Sequence, residues 1–159
     1  MQIFGSDLTY LEGATVLWEL GASTETNAPV VFDQIGVGGN LTFGGATLLT
    51  LSFNPTTVVG TVDWSDAFWL QARQWTVYDV TGSTTGFGNL TVVTETWLDA
   101  QGDGLGVARP YASFSLQQVG SDVILAYTPV PEPSAYGLTL GGLALALAAK
   151  RRRRGQALT

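Results

Sequence analysis

The sequence predicts an all-β fold, and three observations carry that expectation. Hydrophobic residues make up 45 % of the 159 residues and charged residues 13 %, so the chain can bury a core and lacks the low-hydrophobicity, high-charge composition of disorder. Twenty glycines, many threonines and scattered aromatics favour short strands and tight turns over helices. Finally, the apolar residues fall in short runs bounded by turn residues, several of them alternating with Thr or Ser.

The elements follow in order. Residues 14–20, ATVLWEL, make a strand-length piece. Residues 31–53, VFDQIGVGGNLTFGGATLLTLSF, break at Gly38-Gly39 and Gly44-Gly45 into three pieces, and in the last of them Leu49, Leu51 and Phe53 alternate with Thr50 and Ser52. The pattern is strand, corner, strand, corner, strand. Further pieces stand at 75–80 (WTVYDV), 89–97 (NLTVVTETW), 111–116 (YASFSL) and 122–127 (DVILAY), each of strand rather than helix length. A parallel β-helix-like solenoid turns at glycine corners, and so does an antiparallel β-sandwich. Periodicity does not choose between them.

Charge is unevenly placed. Before Lys150 the only cations are Arg73 and Arg109, against all thirteen carboxylates, a net of −11; Lys150, Arg151, Arg152, Arg153 and Arg154 then follow in one block. Two separated arginines in an acidic body make no basic stripe, which excludes nucleic acid as a partner. The chain has no Cys and no His. Disulfides, thiolate or imidazole metal sites, and Ser-His-Asp or Cys-His catalysis are therefore excluded.

Carboxylate chemistry is weighed next, because glycoside hydrolysis needs only two carboxyl groups. The candidates are Asp63 and Asp66 in DWSDAFW, Glu95, and Asp99 and Asp103 in LDAQGDG, with Trp64, Trp69, Trp75 and Trp97 nearby in sequence to stack on sugar. Asp in glycine-containing loops is ordinarily turn chemistry, and Trp in a β protein is ordinarily core. The expectation is thus no enzyme, no catalytic residues and no cofactor. The DAQGDG stretch offers oxygens at Asp99, Gln101 and Asp103 as a calcium loop would, but Pro110 occupies the position where a bidentate Glu is needed, so no metal is expected. The two Asn-x-Thr sequons at Asn40 and Asn89 carry little weight.

The tail has its own logic. Residues 136–149 are uncharged and rich in Leu, Ala and Gly. As a helix they would reach about 21 Å, against about 30 Å of bilayer hydrocarbon. Flanking cations that snorkel to the interface let so short a run span. The prediction is one short C-terminal transmembrane helix, with residues 150–154 cytoplasmic and the β body outside. Gly137 and Gly141 form a G-x-x-x-G whose role in dimerisation is given little weight, since glycine is frequent in membrane helices. Upstream, Pro131 and Pro133 do not continue a helix and hold the chain extended, displaying Glu132.

Two resemblances rest on these residues. The order Val130-Pro131-Glu132-Pro133-Ser134, apolar run, basic cluster resembles the PEP-CTERM sorting signal of exopolysaccharide-producing Gram-negative bacteria. That resemblance implies exosortase as partner, reading Pro131, Glu132 and Pro133 and removing the tail. It also implies transient residence in the inner membrane, then the cell surface or extracellular matrix, with exopolysaccharide as an associated partner. The stretch FDQIGVGGNLTFGGATLLTLSF, with LEGATVLWEL before it, resembles the repeats of autotransporter passengers over residues 8–90. It implies a right-handed parallel β-helix with a C-terminal cap. The expected organisation is a β-rich body at 1–128 and a sorting signal at 129–159. The alternative function is a polysaccharide-binding or polysaccharide-active module on the same tail. Residues 1–16 lack a basic n-region and carry Asp7 and Glu12 where an export signal would be apolar, so the body is expected to be part of a longer passenger or to have its true start upstream.

Overall fold

Glycine corners and alternating apolar residues resolve into strands that pair with partners far away in sequence. The computed structural model describes residues 2–3, 6–27, 31–55, 60–93 and 95–129. Three triplets of strands follow one another. The first comprises β1 (Gln2–Ile3), β2 (Leu8–Tyr10) and β3 (Ala14–Glu19), and the second β4 (Ile35–Val37), β5 (Leu41–Phe43) and β6 (Thr47–Ser52). The third is β7 (Arg73–Val80), β8 (Thr84–Thr85) and β9 (Leu90–Val92).

Strands at the same place in each triplet pair in parallel, giving the orders β1-β4-β7, β2-β5-β8 and β3-β6-β9. The registers agree: Leu8 faces Leu41 and Ala14 faces Thr47, then Leu41 faces Thr84 and Thr47 faces Leu90. The first step is 33 residues in these two sheets and 34 between β1 and β4, and the second is 43 in all three. Part of the longer step is an excursion after β6 that includes a 3-10 turn at Ala67–Leu70. The sheets are joined by corners, and among the described residues no ladder closes one onto another. Two antiparallel strands, β10 (Ser113–Val119) and β11 (Asp122–Thr128), extend the first sheet as β7-β11-β10. They cover the outer edge of β7.

The prediction of a mostly β body stands, and the strand-corner-strand reading of residues 31–53 matches β4, β5 and β6. The all-antiparallel sandwich is corrected, because all pairing among the nine strands of the triplets is parallel. The strand expected at 89–97 is limited to Leu90–Val92, since β6 offers Thr47, Leu48 and Leu49 as partners and the chain then leaves the ladder. The strand expected from residue 111 begins at Ser113, because Tyr111 stands at φ 69°, a left-handed conformation no strand accommodates. The transmembrane helix expected at 136–149 lies outside the described residues, and among those described no helix is long and apolar enough to cross a membrane.

Corners are held by side chains at equivalent places. Asp7 Oδ1 accepts from Asn40 N and Nδ2 at 2.7 and 3.2 Å, and Asn40 Oδ1 accepts from Ser83 N and Oγ at 3.0 and 2.9 Å. The polar ladder leaves no room beside it: a Cβ on Gly82 would lie 2.6 Å from Gly39 O. Farther along, Gly86 sits at φ +70° with its α-carbon against Phe43 O, where any side chain would collide. Inside, Tyr10 stacks on its ladder partner Phe43 at 5.6 Å, and both meet Tyr78 edge-on. Burial pushes the Tyr78 phenol far above its ordinary range, and its hydroxyl donates to Tyr10.

One half-buried carboxylate makes the fold pH-sensitive. Asp33 Oδ2 accepts from Glu19 N at 3.1 Å, and burial first, with the neighbouring Glu19 charge opposing the hydrogen bond, raises its pKa above the ordinary 3.8. A raised folded value means that this group's contribution to stability is fully present below the unfolded pKa and is lost as pH rises through the folded one. Asp33→Asn keeps an oxygen acceptor and removes the titration. We expect its urea midpoint to fall less than that of the parent as pH rises above the ordinary carboxylate pKa of about 4.

Candidate functional site

The carboxylates that sequence reasoning offered for catalysis are mostly used by the backbone. Asp63 Oδ1 accepts from Ser65 N at 2.7 Å, and bonds from Ser65 hold its carboxyl below the usual range. Asp66 caps the 3-10 turn by accepting from Phe68 N at 2.7 Å. Asp99, 1 % exposed, accepts from Trp64 N through Oδ2 and from Gln101 N and Asp103 N through Oδ1, at 3.0, 3.0 and 2.9 Å. All three hold loops in shape. Both Asp99 oxygens therefore face backbone donors in the stretch weighed as a calcium loop, and among the described residues no cluster of three or more acidic residues is placed to hold a metal. Asn40 and Asn89, the sequon residues, spend their amides on Ser83, Asp7 and Phe43 O.

The body's two cations are likewise committed. Arg73 pairs with Glu25 at 3.1 Å and lies 4.0 Å from the centre of the Phe68 ring. Arg109 donates to the carbonyls of Trp64, Ser65 and Asp66 at 2.8, 3.0 and 3.0 Å. Among the described residues the charge that faces solvent is therefore mostly carboxylate.

Tryptophans separate into two groups. Trp18, Trp64, Trp69 and Trp75 are at most 1 % exposed, and each indole N–H has an acceptor: Asp33 O, Trp97 O, Ser23 Oγ and Thr24 O respectively. Trp97 differs on both counts. It is half-buried, and its Nε1 is shielded from solvent without a hydrogen-bond partner among the described residues. Its ring packs edge-on against Phe53 and Phe114 at 6.3 and 5.2 Å.

Trp97 lines a pocket of about 290 Å³ with Glu95, Thr96, Leu105, Val107 and Ala112. The backbone of Gly104 and Gly106 completes the wall. A helical turn, α1 (Leu105–Ala108), forms one side and is tied to the other by Leu105 N donating to Trp97 O at 2.9 Å. Val107 and the nearby Tyr111 are 84 % and 87 % exposed. Sequence reasoning named Glu95 and Trp97 but missed the α1 side, whose four residues LGVA carry no motif. Because the other four tryptophans are sealed, acrylamide should quench the emission of Trp97 almost alone. In Trp97→Phe the quenchable fraction is expected to disappear, as read by a Stern–Volmer titration.

The sorting residues predicted from sequence, Pro131, Glu132, Pro133, Lys150, Arg151, Arg152, Arg153 and Arg154, lie outside the described residues. Chain continuity places them after β11, a strand held on both sides by β7 and β10. Comparison with known families gives a match to the PEP-CTERM protein-sorting motif over residues 129–154. No curated protein and no solved structure matches the chain. The likeness of residues 8–90 to autotransporter passengers thus gains no support.

Proposed function

We propose that this is a sorted protein of the cell envelope or surface, delivered through its C-terminal PEP-CTERM signal and processed by exosortase. The match over residues 129–154 carries the reading. On it, Pro131, Glu132 and Pro133 are the recognition element, residues 136–149 hold the substrate transiently in the inner membrane of a Gram-negative host, and Lys150 to Arg154 fix its direction. The body at 1–128 is non-enzymatic and works outside the cytoplasm, in contact with exopolysaccharide. We read that body as a short parallel β-solenoid capped by β10 and β11. The constant order and parallel pairing of the triplet strands in all three sheets favour that reading.

Mass spectrometry of the mature C-terminus tests the sorting. In cells with active exosortase the parent chain should lose residues 143–154, and a variant with alanine at positions 131, 132 and 133 should retain them. A parent protein that still carries residues 143–154 in such cells overturns the reading in favour of permanent anchoring.

A second reading, binding of polysaccharide by the body, is favoured by one observation: the pocket around the half-buried, unpartnered indole of Trp97. The burial of the other four tryptophans removes them as stacking platforms.

A further inference from the structure

We propose that the end of the body formed by residues 105–112 rests on the lipid surface that holds the tail, with Val107 and Tyr111 seated among the headgroups. Register places these residues where the chain leaves the body. Ser113, which opens β10, pairs with Thr128, which closes β11, so residues 105–112 lead into the edge from which residue 129 and its successors depart. Val107 is 84 % exposed and Tyr111 87 %. A third apolar residue, Leu70, is 50 % exposed and follows Trp69, whose carbonyl accepts from the hydroxyl of Tyr127 beside Thr128. Arg109 ties the two segments together by donating to the carbonyls of Trp64, Ser65 and Asp66. Apolar residues scattered singly over a surface need no partner, whereas three at the exit of the chain point to one. Among the described residues Tyr111 is also the non-glycine residue at positive φ, 69°. That conformation is costly for a residue with a Cβ, and because the ring is left in solvent, packing within the body does not offset the cost.

The tail identifies the occupant. Tyr136 opens the apolar run of residues 136–149 only eight residues after Thr128. Covalent geometry alone therefore keeps the end of β11 within about 28 Å of that run. The inference rests on the reading in which residues 136–149 are held in the membrane, because that tether keeps the exit end of the body beside the bilayer at high effective concentration. An aliphatic side chain and a ring that carries a hydroxyl suit the headgroup boundary, where tyrosine concentrates. Charge disfavours the other occupants: the acidic body repels a second copy of itself and anionic headgroups alike, so the fitting surface is zwitterionic lipid. Seated in this way, the body and the tail hold Pro131, Glu132 and Pro133 between two points of membrane attachment.

The chain has no cysteine, so Tyr111→Cys, Val107→Cys and Val119→Cys each accept a single nitrobenzoxadiazole label. All three positions are exposed, and substitution there leaves the core intact. Val119 is the control: it is 59 % exposed but closes β10, about 20 Å from Ser113. The labelled full chain is reconstituted in phosphatidylcholine vesicles, floated through a density gradient, and compared with the same chain in vesicles whose acyl chains are brominated. The labels at 107 and 111 should lose most of their emission to the bromines, and the label at 119 none. Adding Val107→Glu to the chain labelled at 111 should abolish the quenching while flotation persists. Unquenched labels at 107 and 111 in the floated chain overturn the inference and leave the membrane-held tail standing. So does a blue-shifted but unquenched label, which would mean that the tail or a second copy covers this end. Equal quenching at 111 and 119, or quenching that survives Val107→Glu, overturns it as well, since the contact is then not made by this end. A chain that fails to float with the vesicles overturns both the inference and the reading of the tail on which it rests.

Discussion

Trp69→Ala should lower the stability of the fold by about 4 kcal/mol, the typical loss for a fully buried aromatic replaced by alanine. Trp69 is 0 % exposed and sits where three parts of the molecule meet. Its ring lies 4.6 Å from Trp64 and 4.9 Å from Phe68 in the excursion after β6, 5.9 Å from Trp75 on β7, and 5.0 Å from Tyr127 on β11. Its Nε1–H also reaches Ser23 Oγ at 3.1 Å, in the loop after β3. Alanine removes all of these contacts and leaves a cavity among rings that β-strand backbones hold in place, so little collapse is available to fill it. Tyr127 Oη would still reach the backbone carbonyl of residue 69, so the loss is one of packing rather than of that bond. Trp69→Phe keeps part of the aromatic surface and should cost less than half as much. Urea unfolding followed by near-ultraviolet circular dichroism measures both, and a loss below about 1 kcal/mol for Trp69→Ala would place the centre of the core elsewhere.

The corners were legible in the sequence because they depend on local chemistry. Gly38-Gly39 and Gly44-Gly45 interrupt an apolar run, and the alternation of Leu49, Leu51 and Phe53 with Thr50 and Ser52 reappears as alternating burial along β6. Pairing was less legible, since it depends on residues 33 and 43 positions apart. Unequal steps hide the repeat: the second spans ten residues more than the first, so a fixed-period reading loses register after β6. The ends of strands also depend on partners, which is why the piece beginning at Asn89 yields only Leu90–Val92. In the candidate site the favoured reading, aspartates in turns and tryptophans in the core, holds for Asp63, Asp66 and Asp99 and for Trp64, Trp69 and Trp75. The local partners at Ser65, Phe68, Gln101 and Asp103 follow from the turn chemistry of DWSDAFW and LDAQGDG, whereas the bond of Asp99 with Trp64 N, 35 residues away, does not. The isolation of Trp97 Nε1 has the same origin. It is defined by which acceptors the fold fails to bring near, and no local pattern encodes that.

Asp99→Ala should cost about 3 kcal/mol and should also disturb the pocket. The side chain is 1 % exposed and serves three backbone donors, two within its own turn at Gln101 and Asp103 and one across the molecule at Trp64. Hydrogen bonds to a charged acceptor contribute more than neutral ones, and removal of the acceptor strands the donors that water does not reach. Trp64 N is the most exposed to this penalty, because Trp64 is fully buried. Asp99→Asn retains one carbonyl oxygen in place of two carboxylate oxygens, so it should preserve part of the bonding and lose about half as much. The functional consequence follows from position. Asp99 N bonds Asp103 O and Ala100 N bonds Val62 O, so the same turn that carries Asp99 fixes the approach to Gly104 and Leu105, the start of the α1 side of the pocket. When the carboxylate is gone, α1 loses its alignment with Trp97 before the core itself is disrupted. The expected signature is a rise in acrylamide quenching of Trp97 at urea concentrations below the global transition, absent from Trp69→Ala at matched stability. Coincidence of the two transitions in Asp99→Ala would mean that the turn and the core unfold as one unit.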